Sequence, residues 1–160
     1  MNRSLLTLAA LASAFAGALA LTSTASAQTF KAKKFGEANG WTINANMADD
    51  QYMNCGAVAP GATYAALESS TEGWTLTFAS KAKGENAKGS LAIDGKAMNV
   101  TFDKFDEGKY GVFLKPAQVK ALQAGKALIV KTSADEITLP IDGLTAVTKK
   151  VGECVKKNSQ

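Results

Sequence analysis

The chain has 160 residues, with 18 Lys and Arg against 14 Asp and Glu, a net charge of +4, and no histidine. The missing imidazole excludes Ser-His and Cys-His nucleophile pairs and ordinary zinc or copper sites. Arg3 is the only arginine, which excludes forked recognition of phosphate or guanine and with it nucleic-acid specificity; lysine remains as a point charge for anionic surfaces.

The chain opens as a signal peptide over residues 1–27. Arg3 supplies the positive end, Leu5–Leu21 is a run of apolar and small residues, and Thr24-Ala25-Ser26-Ala27 presents the small residues of a cleavage site. A retained membrane anchor is the competing reading, but the run is Ala-rich and ends in an A-x-A-like site. Removal after Ala27 leaves residues 28–160, enough for one domain with its own core, periplasmic or secreted and without stable membrane insertion.

Gln28–Gly40 is polar and lysine-rich, with Phe30 and Phe35 as its only large apolar groups. It reads as a flexible lead-in over 28–40, or as a short first strand pinned by those rings. Lys31, Lys33 and Lys34 beside Phe35 form a candidate interaction patch for anionic lipid or acidic glycan, weighed against a solvated arm. The domain proper spans 41–157.

Trp41, Ile43 and Ala45 alternate as a strand, Tyr52–Val58 is a second extended run carrying Cys55, and Pro60-Gly61 turns it into Ala62–Leu67. Trp74, Leu76 and Phe78 alternate with threonines. Lys81–Gly89 reads as a polar loop. Leu91 and Ile93, then Met98, Val100 and Phe102, flank Asp94-Gly95, a strong hairpin signal. Tyr110–Leu114 follows another turn. Pro116 opens a short helix through Val119 and Leu122 that Gly125 ends. Lys126–Thr132 and Ile137–Ile141 are the last strands; Pro140 marks the second as an edge or as ending there. Asp142 stands as N-cap of a closing helix whose Leu144, Val147, Val151, Cys154 and Val155 recur on one stripe.

Cys55 and Cys154 are an even pair in an exported chain and read as one structural disulfide. The predicted class is mainly β: an antiparallel β-sandwich or partly open barrel of about eight strands, with a short connecting helix and a C-terminal helix stapled by the disulfide.

Leu122, Gly125, Lys126, Leu128 and Val130, then Ile137–Ile141, Gly143, Leu144 and Ala146, resemble the small periplasmic proteins of alphaproteobacteria related to the invasion-associated locus B family. The resemblance spans Trp41–Val155 loosely and Val119–Cys154 more closely. It implies a secreted β-sandwich-like domain, linked in pathogens to host-cell entry, with no catalytic residues to carry over. Family members typically have further cysteines, one soon after the first Trp strand, where this chain has Asn44 and Asn46.

Trp41 and Trp74, on alternating strands, read as core ahead of a ligand platform. The acids Asp49, Asp50, Asp103, Asp106 and Glu107 cluster at turns. A pair held about 5–10 Å apart would suit glycoside hydrolysis, but acids are the usual residues of solvated turns, and the calcium-loop spacing is missing. The expectation is an exported non-catalytic binding or interaction module, monomeric, with no cofactor or metal and with an unknown protein or surface partner. The alternatives are a carboxylate-dependent secreted hydrolase, an inhibitor of a secreted hydrolase, or a carrier of small apolar ligands if a barrel interior is too wide for its own side chains.

Overall fold

The computed structural model describes residues 28–61 and 63–159, and the expected signal peptide lies outside them. Ten strands, β1 (Phe30–Ala38), β2 (Trp41–Ala48), β3 (Gln51–Val58), β4 (Ala65–Ser70), β5 (Gly73–Ala79), β6 (Asn86–Ile93), β7 (Lys96–Asp106), β8 (Lys109–Leu114), β9 (Ala127–Thr132) and β10 (Glu136–Pro140), form one antiparallel sheet. Helix α1 (Pro116–Ala124) joins β8 to β9, and α2 (Leu144–Asn158) follows β10. The spatial order is β1-β2-β3-β4-β5-β8-β7-β6-β9-β10. The mainly β antiparallel class, the two helices and the disulfide are as expected. The sheet is a single open one with β1 and β10 as its edges, and Pro140 ends its edge strand.

The strand count exceeds the expected eight for an identifiable reason. Residues 30–38, expected within a flexible lead-in, form a strand paired with β2 from Phe30↔Ala48 to Ala38↔Trp41. The turn between them is Asn39-Gly40, with φ of 46° and 77°, the left-handed pair that a tight hairpin needs. Strand β6 likewise starts at Asn86, inside the stretch read as a loop. Asn86 Nδ2 donates to Asp103 Oδ1 on β7 at 2.8 Å. Gly89 lies where a Cβ would come within 2.0 Å of the Lys131 carbonyl oxygen, so only glycine lets β6 and β9 close. Asp94-Gly95 makes the β6–β7 turn as expected, with φ of 48° and 80°.

One face of the sheet holds the core. Ile43, Ala45, Cys55, Ala57, Leu67, Leu76, Phe78, Tyr110, Phe102, Leu91 and Val130 are buried there. Phe78 and Phe102 meet edge-on, with ring centres 4.9 Å apart; bulky side chains thus fill the interior that the carrier reading would need empty. Helix α2 lays Leu144, Val147, Val151 and Cys154 on this face, and Cys154 is bonded to Cys55. The N-cap is Gly143 at φ 72°, in place of Asp142. The left-handed turn after Pro140 leaves Asp142 outside the first helical turn, and Asn39 Nδ2 donates to the Gly143 carbonyl at 3.1 Å.

The sheet curls. Ser80, just past β5, donates to Asp135 Oδ2 in the β9–β10 turn at 2.5 Å. Strands β5 and β9 are four steps apart in the sheet, roughly 19 Å if flat, so this contact requires the second half of the sheet to bend round the core.

Candidate interaction surface

Strand alternation leaves a second set of side chains pointing away from α2. Cross-strand register puts Lys34, Asn44, Gly56, Glu68, Thr75 and Phe113 in one row across β1, β2, β3, β4, β5 and β8. Asn46 and Asn54 face each other in the adjoining row. Among the described residues, Phe30, Met53, Phe105 and Phe113 are the large apolar side chains left exposed, at 66%, 47%, 47% and 51%.

Two features stand on this outer face. The first is an aromatic ridge: the Phe105 and Phe113 rings are 6.1 Å apart. Phe105 fits over Gly111, where a Cβ would come within 3.0 Å of its ring, and Thr75 and Thr77 are buried on the same face. The second is a groove of about 370 Å³ bordered by Phe30, Asn46, Met53, Asn54, Glu68 and Lys109. Glu68 lies against Gly56: a Cβ there would sit 3.0 Å from Glu68 Cγ and 3.5 Å from Asn46 Nδ2. Asn46 Nδ2 donates to Asn54 Oδ1 at 2.7 Å.

Burial pushes the Glu68 carboxyl above its ordinary value, and the charge of Lys109 draws it partly back. The ammonium of Lys109 is directed elsewhere, 3.5 Å from Asp106 Oδ2 and 5.1 Å from the centre of the Tyr64 ring.

The lysine patch expected on β1 is divided by the strand. Lys33 pairs with Ala45 on the α2 side, and Lys34 pairs with Asn44 on the outer side. Lys31 is 3.0 Å from Asp50, and Lys34 is paired with Glu37. Phe35 falls at the bulge between Lys34 and Gly36. Its half-buried ring packs against the core, with the Lys150 and Lys157 ammoniums 5.4 and 5.9 Å from its centre. Trp41 is buried and Trp74 half-buried against the core.

The turn acids each have a local partner. Asp49 Oδ1 accepts the Thr29 amide at 2.9 Å, Asp103 accepts from Asn86, Asp106 accepts the Glu107 amide at 2.8 Å, and Glu107 pairs with Lys104 at 2.9 Å. Among the described residues, no group of three or more Cys, Asp or Glu is placed to hold a metal ion, and no helix is long and apolar enough to cross a membrane.

Of this face, Lys34 belongs to the patch expected from the sequence; Met53, Glu68, Phe105 and Phe113 do not. The usable signal lay in Tyr110–Leu114: Tyr110, Val112 and Leu114 take one side, which consigns Phe113 to the other. Comparison with protein-family models, with curated proteins and with solved structures found no match.

Proposed function

We propose that this protein is an exported, non-catalytic interaction module that binds a protein partner through the outer face of its sheet. The observation that carries this reading is the exposure of Phe30, Met53, Phe105 and Phe113 on the face opposite α2, while Cys55, Ala57, Phe102 and Tyr110 of β3, β7 and β8 are buried on the other. Exposed apolar groups gathered on one side of a small protein mark contact surfaces. The Cys55–Cys154 bond supports a periplasmic or secreted location. The resemblance of the C-terminal third to invasion-associated locus B proteins accords with a role by contact. The local engagement of the turn acids in hydrogen bonds and ion pairs favours this reading over a carboxylate-dependent hydrolase.

A photo-reactive amino acid replacing Phe113, compared with one replacing the exposed Lys120 on α1, tests it in exported protein. The expected result is a discrete cross-linked species from position 113 and none from 120. Cross-links from 120 alone, or turnover of a substrate abolished by changing one acid, would overturn the reading.

A further inference from the structure

Glu68 is the carboxylate on the outer face that the neighbouring lysines leave over. Lys31 is matched to Asp50 at 3.0 Å, Lys34 to Glu37 and Lys109 to Asp106 at 3.5 Å. These are the cations that border the groove or share its row. Glu68 itself is recessed over Gly56 between the Asn46–Asn54 pair and Lys109. Glu68 is half-buried and, among the described residues, has no ion pair; partial burial of a charge without one raises the free energy of the folded state, and an incoming cation relieves that penalty.

The walls define which cation. Phe30 and Met53 give the groove apolar sides that suit an aliphatic stem, as a lysine buries its methylenes and keeps its charge at the tip. A guanidinium is a wide planar fork that needs both carboxylate oxygens presented edge-on, whereas an ammonium is a compact point charge on a slender chain. Resting on the proposed contact role of this face, we infer that the Glu68 groove is its anchoring pocket for a lysine side chain of the protein partner, the ammonium meeting Glu68 and the stem lying between Phe30 and Met53.

The test is an NMR titration of ¹⁵N-labelled protein with a blocked hexapeptide carrying one lysine flanked by leucines. Its counterpart with norleucine for lysine, and the free diamine cadaverine, serve as comparisons. The lysine peptide is expected to shift the amides of Asn46, Asn54 and Glu68, the norleucine peptide to leave them in place, and Glu68→Gln to weaken binding at least about ten-fold, the scale of one hydrogen bond to a charged group. Gly56→Ala is a second variant: it pushes the Glu68 side chain away from residue 56 without removing the charge, and it too should weaken binding. Equal affinity for the norleucine peptide or for Glu68→Gln protein, or no shifts with any probe, overturns the inference. Cadaverine binding as well as the peptide overturns the assignment to a partner's lysine in favour of a free amine. Peptide binding confined to Phe105 and Phe113 overturns the pocket and leaves the contact face standing, and the cross-linking comparison judges that face separately.

Discussion

Cys154, on the buried stripe of α2, is bonded to Cys55 in β3, with their Cα atoms 6.0 Å apart and their positions 99 apart in the chain. The bond holds the helix on the core face of β1–β4. A closed loop of this length restricts the unfolded chain by about 4–5 kcal/mol in the chain-entropy treatment. The double variant Cys55→Ala, Cys154→Ala should lose about 3–5 kcal/mol of stability, read as a lower urea midpoint with a similar slope. A change below about 1 kcal/mol would mean that packing alone seats the helix.

Asp135 joins the two halves of the sheet. It accepts from the Ser80 hydroxyl and, at 2.6 Å, from the Lys81 amide. The Ser80 hydrogen bond is the main influence holding its carboxyl below the ordinary value of 3.8, against a smaller opposing effect of burial. An acid depressed in the folded state stabilises above its unfolded pKa, and that contribution is lost as pH falls through the folded value. Asp135→Ala should cost about 1–2 kcal/mol at pH 7 through the two lost bonds. Its stability should also fall less steeply than that of the parent on acidification below about pH 4. Thermal unfolding at pH 7 and pH 3 reads both effects.

Glu68 follows the opposite sign. Its carboxyl is raised by burial, so folding disfavours the charged form, and the penalty is present at neutral pH and vanishes when the group is protonated. Glu68→Gln should therefore unfold at a higher urea concentration than the parent at pH 7, and the advantage should disappear well below pH 4. A lower midpoint at pH 7 would show that Glu68 has a stabilising partner in solution.

Two glycines should respond in opposite ways to the same change. Gly89→Ala places a methyl group against the Lys131 carbonyl oxygen and the Phe102 ring, which forces β6 from β9 and should cost about 3 kcal/mol or more. Gly152 lies in α2 with open space around its Cβ position, and Gly152→Ala should add about 0.5–1 kcal/mol. Chemical denaturation of the pair compares them directly.

The lysines of β1 guard an open edge. A free strand edge offers unpaired amides and carbonyls to other chains, and lysines on it oppose that pairing. Lys33→Val combined with Lys34→Thr should introduce concentration-dependent self-association, seen by sedimentation velocity. An unchanged sedimentation coefficient would show that the bulge at Phe35 protects the edge without the charges.

The sequence was most legible where apolar residues alternate on one side only. Trp74–Phe78, the Asp94-Gly95 hairpin and the stripe of α2 are of this kind, and so is the pairing of Cys55 with Cys154. It was least legible where a strand is recognised by its partner and not by its own composition. Strand β1 has a lysine or a small residue at most positions, and its structure is imposed by the Asn39-Gly40 turn and by β2. The first half of β6 offers Ala87 and Gly89 to the core, too small to register as an apolar face, although Gly89 is required there. Asp142 is a good capping residue in the abstract, but Gly143 takes the left-handed conformation that sets the helix start. The outer-face groove escaped notice because Glu68, Asn46 and Asn54 come together by register across β2, β3 and β4, from residues each ordinary in its own segment.

With only two cysteines in the chain, ring closure has one possible outcome, and no rearrangement among alternative pairings is needed to reach it. The thiol of Cys55 is nevertheless synthesised long before that of Cys154, and α2 follows every other described element. During that interval a wrong bond can form only between two molecules. The hazard in producing this protein is therefore a covalent dimer through Cys55, favoured by crowding and by premature oxidation, and it is relieved once the closing helix arrives.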